Sequence, residues 1–258
     1  MKTVIVTQEE PFYIPIFLSK ILDKYRREIV AVIILPGVPK GFNLLSYLKR
    51  LYDVFGLRDF IKYGILFIHH KLLTFLNYRG KPEWLYSVAS AARKNSIPVY
   101  KLKNINSPGS LELLKTLEPE IIISVAAPQI FKKEVINLAK HTINIHAALL
   151  PEYRGMMPSF WVLAKGEEKT GVTVHYMDKR VDMGNIILQK TIDISPQDTL
   201  HSLQTKVANI GAMALLEALE KIENGDSSGV PPQGEGSYYS FPTKEAAKEL
   251  RARGHGFI

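Results

Sequence analysis

Ile29-Val30-Ala31-Val32-Ile33-Ile34-Leu35 is apolar at every position. A strand with one face in water alternates apolar and polar residues. A strand without that alternation is covered on both faces, and such strands belong to parallel sheets held between helical layers. Outward from this run, residues 121–126 (IIISVA) repeat the pattern, and 3–7 (TVIVT), 99–102 and 142–145 give shorter strands. Helical patterns fall between them at 15–25, 86–95, 111–117 and 131–139. This alternation predicts an α/β fold with a doubly wound, mostly parallel sheet. Further along, 171–177 (GVTVHYM) and 185–194 (NIILQKTIDI) read as neighbouring strands joined by a short loop. Residues 199–223 form one long amphipathic helix, closed by Asn224-Gly225-Asp226. A Gly/Ser/Pro-rich loop covers 225–236, and 244–253 is expected to be a final exposed helix. The domain reading is a body over 1–225 and an extension over 226–258.

Residues 42–86 break the alternation. Leu44, Leu48, Leu51 and Phe55 have helical spacing, and a second helix is expected from Asp59 to about Leu76. This helical insertion after the second strand, about 40–84, is rich in aromatic residues: Phe42, Tyr47, Tyr52, Phe55, Phe60, Tyr63, Phe67, Phe75, Tyr78, Trp84 and Tyr86. It also carries much of the net charge of +8. Eight Lys/Arg lie between Lys40 and Lys81, against Asp53 and Asp59. Such a concentration points to an anionic partner or to a solvated basic face.

With no cysteine, the chain can form no disulfide, zinc–thiolate site or cysteine nucleophile, and a reducing, cytoplasmic compartment is expected. No apolar run reaches the roughly 20 residues that span a bilayer. The first residues read as a strand, not a signal peptide.

The chemistry concentrates in Asn144-Ile145-His146-Ala147-Ala148-Leu149-Leu150-Pro151-Glu152-Tyr153-Arg154-Gly155. Asn144 and His146, two residues apart at a strand end, share one face. Ligands of open α/β sheets sit beyond the carboxyl ends of strands. Alone, the pair also reads as two satisfied strand-end polar residues. Asp182, in the loop Asp178-Lys179-Arg180-Val181-Asp182-Met183-Gly184, adds an acid that can orient an imidazole. Amide, imidazole and carboxylate together supply an oxyanion donor, a polariser and a proton acceptor. His175 reads as a packed or surface residue. His69 and His70 diverge on a helix without an acidic partner, so no metal site is expected. Arg154 either meets an anionic acceptor or pairs at the surface.

INIHAALLPEYRG followed by TGVTVHYMDKRVDMGNIILQ resembles the folate-dependent formyltransferases, over roughly residues 85–225 and the first strand. The resemblance implies transfer of a formyl group from 10-formyltetrahydrofolate to an amine. Asn144 and His146 would stabilise the oxyanion, and Asp182 would hold His146 and relay protons through water. Leu149, Leu150 and Pro151 match the loop beside the folate. Ala126, Ala127, Gln129, Ile130 and Phe131 match the segment whose backbone cradles the pteridine. Asp178, Val181 and Gly184 belong to the loop that closes over it. Many members have Pro-Ser or Gly-Ser at Ala147-Ala148, so one polar contact near the folate is missing here.

The resemblance leaves several acceptors. Methionyl-tRNA formyltransferases add a C-terminal tRNA-binding β-barrel, for which the stretch beyond Glu223 is too short, so no such domain is expected. Glycinamide ribonucleotide enzymes open on a Gly-rich phosphate loop where this chain has Thr7-Gln8-Glu9-Glu10-Pro11-Phe12. A small anionic amine, such as an amino sugar or sugar nucleotide, is the leading reading. A tRNA or glycinamide ribonucleotide enzyme and a non-catalytic folate-binding or partner-binding protein are the alternatives. The basic aromatic insertion would line the acceptor site, form a homodimer interface or lie on a membrane surface.

Overall fold

The computed structural model describes residues 1–39, 41–77 and 87–258. Lys40, Tyr78, Arg79, Lys81, Trp84 and Tyr86 of the expected insertion lie outside them. Strands β1 (Thr3–Gln8), β2 (Ile29–Leu35), β3 (Val99–Lys101), β4 (Ile121–Val125) and β5 (His141–His146) are parallel. A short β6 (Arg154–Gly155) leaves the sheet, and β7 (Lys169–Tyr176) and β8 (Ile186–Asp193) return antiparallel. The seven-stranded order is β3-β2-β1-β4-β5-β7-β8, and β6 pairs with β9 (Tyr238–Tyr239) in a separate ribbon. The helices are α1 (Ile14–Tyr25), α2 (Leu44–Asn77), α3 (Val88–Lys94), α4 (Pro108–Leu117), α5 (Lys133–Ile136), α6 (Pro158–Lys165), α7 (Leu200–Glu223) and α8 (Lys244–Ala252). The mostly parallel sheet with flanking helices is the architecture expected.

Two cores explain the unbroken apolar strands. Ile5, Val32, Ile34, Ile121, Ile123 and Ile143 face a large core with α1, α6, α7 and α8. Val4, Val6, Ala31, Ile33, Leu35 and Ile122 face a smaller one with Leu114, Phe131 and Val135. Alternate side chains thus enter opposite layers, and both layers are dry.

Three expectations need correction, and one helix is unforeseen. The helix expected over 131–139 holds only for α5. Phe131 is buried in the small core before α5 begins, and the Thr142 hydroxyl takes the Ile136 carbonyl at 2.8 Å as the chain turns into β5. Helix α4 starts earlier than Leu111, because the Ser107 hydroxyl caps it at Ser110 N–H. Helix α6 is unanticipated: residues 159–164 are all buried, so no amphipathic period marks it. Helix α8 is not merely exposed. Ala246, Ala247 and Leu250 are buried, and α8 packs on α6 and α2.

The insertion does form helix, with a sharp elbow at Gly56 (φ 72°, ψ 167°). Tyr52 and Phe60 have ring centroids 5.7 Å apart, although eight residues of straight helix span roughly 12 Å. Arg251 of α8 serves the elbow. It donates to the carbonyls of Val54 and Phe55, which the break leaves without helical partners, and pairs with Asp59 at 3.5 Å. No helix among the described residues is long and apolar enough to cross a membrane.

Candidate active site

The site lies where β5 ends beside β7. The antiparallel register sets Asn144 opposite His175 and His146 opposite Thr173. Four polar side chains therefore meet in two cross-strand pairs. The loop between β7 and β8 folds back over them and delivers Asp182, whose backbone is left-handed (φ 54°), a conformation Asp tolerates better than most residues. Gly184 permits the return. A Cβ there would come within 1.8 Å of the Tyr176 carbonyl oxygen.

His146 is 5% exposed. Its Nε2–H donates to the Tyr153 carbonyl at 2.8 Å, since a carbonyl can only accept. Nδ1 then lies 3.5 Å from Asp182 Oδ2. That spacing is too long for a good hydrogen bond and leaves the nitrogen able to turn toward a third group. Asp182 Oδ2 also accepts the Gly155 N–H at 2.8 Å. His146 and, by way of His175, Asn144 thus both border Asp182.

His175 belongs to the same cluster, which its sequence context did not reveal. It is 2% exposed, and its Nδ1–H donates to the Tyr176 carbonyl at 2.7 Å. Nε2 is then an acceptor, 3.2 Å from Asn144 Nδ2, and fixes which way the Asn144 amide faces. Burial drives the His175 pKa down to about 4; nearby His146 also lowers it, while Asp182 and the Tyr176 carbonyl oppose the shift. The ring is neutral at physiological pH. Although 3.7 Å from Asp182 Oδ1, it forms no ion pair there.

Further hydrogen bonds hold the strand-end loop. Thr173 Oγ1 donates to the Ala148 carbonyl at 2.7 Å and accepts from Leu150 N–H and Gln189 Nε2. Gln189 also donates to the Leu150 carbonyl at 2.9 Å. From the C-terminal segment, Ser237 Oγ receives the Tyr153 N–H, its carbonyl receives the Arg154 N–H, and Tyr239 stacks on Tyr153. The backbone that carries the Tyr153 carbonyl and the Gly155 N–H is therefore fixed by residues 237–239. A Cβ on Gly155 would meet the Tyr239 carbonyl at 2.2 Å.

The remaining sequence candidates fall around this centre. Ala126, left-handed at φ 48°, ends β4. Gln129 spends its side chain on the backbone of Lys103 and Ile105, Phe131 is in the small core, and Ile130 is 71% exposed. Ala127 packs against the small core. Contacts from Gln129 and Phe131 to a ligand would be made by backbone. Leu149 and Pro151 are half-buried and Leu150 is buried. Ala148 is fully buried, so its methyl group faces the fold. Asp178 is exposed and Val181 half-buried on the closing loop. A cleft of about 370 Å³ borders that loop, lined by Asp178, Arg180, Met183, Asn185, Pro231 and Glu235.

Glu9 and Glu10 have structural work. Glu10 accepts the N–H groups of Phe12, Tyr13 and Ile14 at the start of α1, and Glu9 those of Val88 and Ala89 at the start of α3. Two helix N-termini that could meet a phosphate are filled by the chain's own carboxylates. His70 packs 5.0 Å from Phe12, and no group of three His, Asp or Glu among the described residues could hold a metal.

Residues 85–219 match the formyl transferase family model. Methionyl-tRNA formyltransferase of Clostridioides difficile is 41% identical over 150 residues, 58% of this chain and 48% of that protein. The enzyme of Alkaliphilus oremlandii is 35% identical over 172 residues, 66% and 56%. The chain thus spans about half the length of these curated relatives. Among solved structures, a sugar N-formyltransferase from Shewanella has a TM-score of 0.62 at 18% identity, covering 100% of this chain and 90% of that one. The N-formyltransferase of Helicobacter canadensis has a TM-score of 0.61 at 20% identity, covering 98% and 80%. These two likenesses concern the fold. The matched stretch runs through β5, the Asp182 loop and most of α7, and so contains the whole polar cluster: the chain is a member of the formyl transferase family.

Proposed function

We propose that the chain transfers a formyl group from 10-formyltetrahydrofolate to the amine of a small anionic acceptor, such as an amino sugar or sugar nucleotide. The observation that carries this reading is the convergence of Asn144, His146 and Asp182 at one strand end. The acceptor nitrogen attacks the formyl carbon, and the carbonyl electron pair moves onto oxygen. Asn144 has one amide N–H directed at His175, and its second can meet that oxyanion. With the His146 Nε2–H already given to the Tyr153 carbonyl, His146 would serve the attacking amine and not the oxyanion that the resemblance implies, and its Nδ1 edge with the Asp182 carboxylate would take up the amine's proton. As the tetrahedral centre collapses, the bond to folate N10 breaks and N10 receives a proton. The products are an N-formyl amine and tetrahydrofolate.

The pteridine would lie against the backbone of 126–131 and the loops at 149–151 and 178–184, where Asp178, Val181 and Gly184 close over it. The Ala126 turn and the Gly184 approach give backbone-lined surfaces of the kind a flat heterocycle needs. His146→Ala should lower tetrahydrofolate release by on the order of 10³-fold, with folate binding within about threefold of wild type. Undiminished release would remove the catalytic assignment.

A second reading, with an aminoacyl-tRNA as acceptor, is favoured by the 41% identity to a methionyl-tRNA formyltransferase. An acceptor panel separates the two. Charged initiator tRNA, glycinamide ribonucleotide and amino-sugar nucleotides would each be supplied with 10-formyltetrahydrofolate, with tetrahydrofolate as readout. Turnover with tRNA alone would overturn the small-acceptor reading.

A further inference from the structure

Helix α2 beyond the elbow carries a row of large apolar side chains that no other described residue covers. Leu57 is 61% exposed, Ile61 50%, Ile65 64%, Ile68 60%, Leu72 56% and Phe75 68%. Their spacings of four, four, three, four and three place all six within an arc of about 100°. The opposite face holds the fold contacts, with Tyr63, Phe67 and His70 against Phe12. The row runs for roughly 30 Å along the helix.

The charges beside the row are basic. At helical spacing Arg58 and Lys62 fall along one flank and Lys71 along the other. The one acid in this half, Asp59, points back to Arg251 at 3.5 Å, with its side chain 19% exposed. The arm before the elbow follows the same scheme. Leu44, Leu45, Leu48 and Tyr52 are exposed on one face, with Lys49 at its edge.

We propose that α2 docks on an anionic lipid surface, with Leu57, Ile61, Ile65, Ile68, Leu72 and Phe75 in the acyl–headgroup boundary and Arg58, Lys62 and Lys71 on the headgroups. An apolar stripe on a polar helix with Lys/Arg on its flanks is the pattern that lies in a membrane interface. Charge distinguishes this occupant from a second copy of the chain. A two-fold interface sets the same patch against itself. The flanking cations would then face cations, and α2 beyond the elbow offers no free carboxylate to meet them. A flat anionic surface pairs them all. The inference does not depend on the chemistry at His146.

Flotation of the full chain with vesicles tests it, using phosphatidylcholine alone and phosphatidylcholine with 30 mol% phosphatidylglycerol, alongside the solution mass of the protein. We expect partitioning onto the anionic vesicles, at least tenfold weaker on the neutral ones. Ile65→Glu with Ile68→Glu should reduce it at least tenfold without changing the circular dichroism or the melting temperature, since both side chains already face water. Replacing Arg58, Lys62 and Lys71 by Gln should weaken binding to anionic vesicles while leaving the apolar row intact. Three results would overturn the proposal: no partitioning onto either vesicle, partitioning unchanged by the two glutamates, or a dimer that these glutamates dissociate while vesicles stay unbound.

Discussion

At the scale of single residues, the site rests on which nitrogen of each imidazole holds a proton. His146 and His175 both donate to backbone carbonyls, through Nε2 and Nδ1 respectively. Each therefore presents its other nitrogen to Asp182, at 3.5 Å and 3.7 Å. Their surroundings differ, since Nε2 of His175 meets the Asn144 amide while Nδ1 of His146 faces the carboxylate. Asp182→Asn isolates the charge, because Asn also tolerates a left-handed backbone and its oxygen can still accept from Gly155. Turnover should fall by on the order of 10²–10³-fold, with stability changed by less than about 1 kcal/mol. A loss of less than tenfold would mean that the carboxylate only positions the loop. His175 has a pH consequence as well. In the unfolded chain it takes a proton near the ordinary 6.5, and in the fold only near about 4. Its contribution to stability is whole above 6.5 and is lost as pH falls from there toward 4, with a slope approaching 1.4 kcal/mol per unit. His70, His141 and His201 shift the same way, so the measurement is a difference. His175→Gln should flatten this acid limb relative to wild type in denaturant titrations at pH 4.5, 5.5 and 7.

At the scale of elements, what could be read in the sequence is what a period of two or 3.6 writes into it. Strand β2 shows by its unbroken apolar run, and α7 by its apolar stripe. The Asn144/His146 pair shows by its spacing of two. Helix α6 could not be read, because it is buried all round and starts at left-handed Met157 without a side-chain cap. Nor could the places of Thr173 and His175, since a strand shows which residues share a face but not which residue stands opposite on its neighbour. The β6–β9 ribbon was equally hidden, being two residues long on each side. Yet it positions the site through Gly155, whose φ of 95° and contact with Tyr239 admit no side chain. Gly155→Ala should push the ribbon apart, cost about 2 kcal/mol or more, and lower turnover by freeing Asp182 from the Gly155 N–H. Wild-type turnover in a folded Gly155→Ala protein would show that the ribbon plays no part in holding the site.

At the scale of the whole molecule, three parts far apart in the chain meet on one ring. Phe257, 3% exposed, lies 4.6 Å from Phe55 at the elbow of α2 and 6.1 Å from Phe160 in α6. The Arg251 guanidinium sits 4.7 Å above it. That same guanidinium satisfies the open carbonyls at the elbow. The backbone beyond Arg253 is sewn down too, since the Gly256 and Phe257 carbonyls accept the N–H groups of Leu200 and His201 at the start of α7. Strands far from these residues do not depend on them, so loosening the junction should act first on the attachment of α2. Removing the ring empties a buried space and strips the guanidinium of its platform. Phe257→Ala should destabilise the fold by about 3–5 kcal/mol. Amide exchange should rise most around Val54–Asp59, ahead of β1, β2 and β4. If instead exchange rises uniformly through the sheet, the ring is one more core residue and not the joint between α2 and the body.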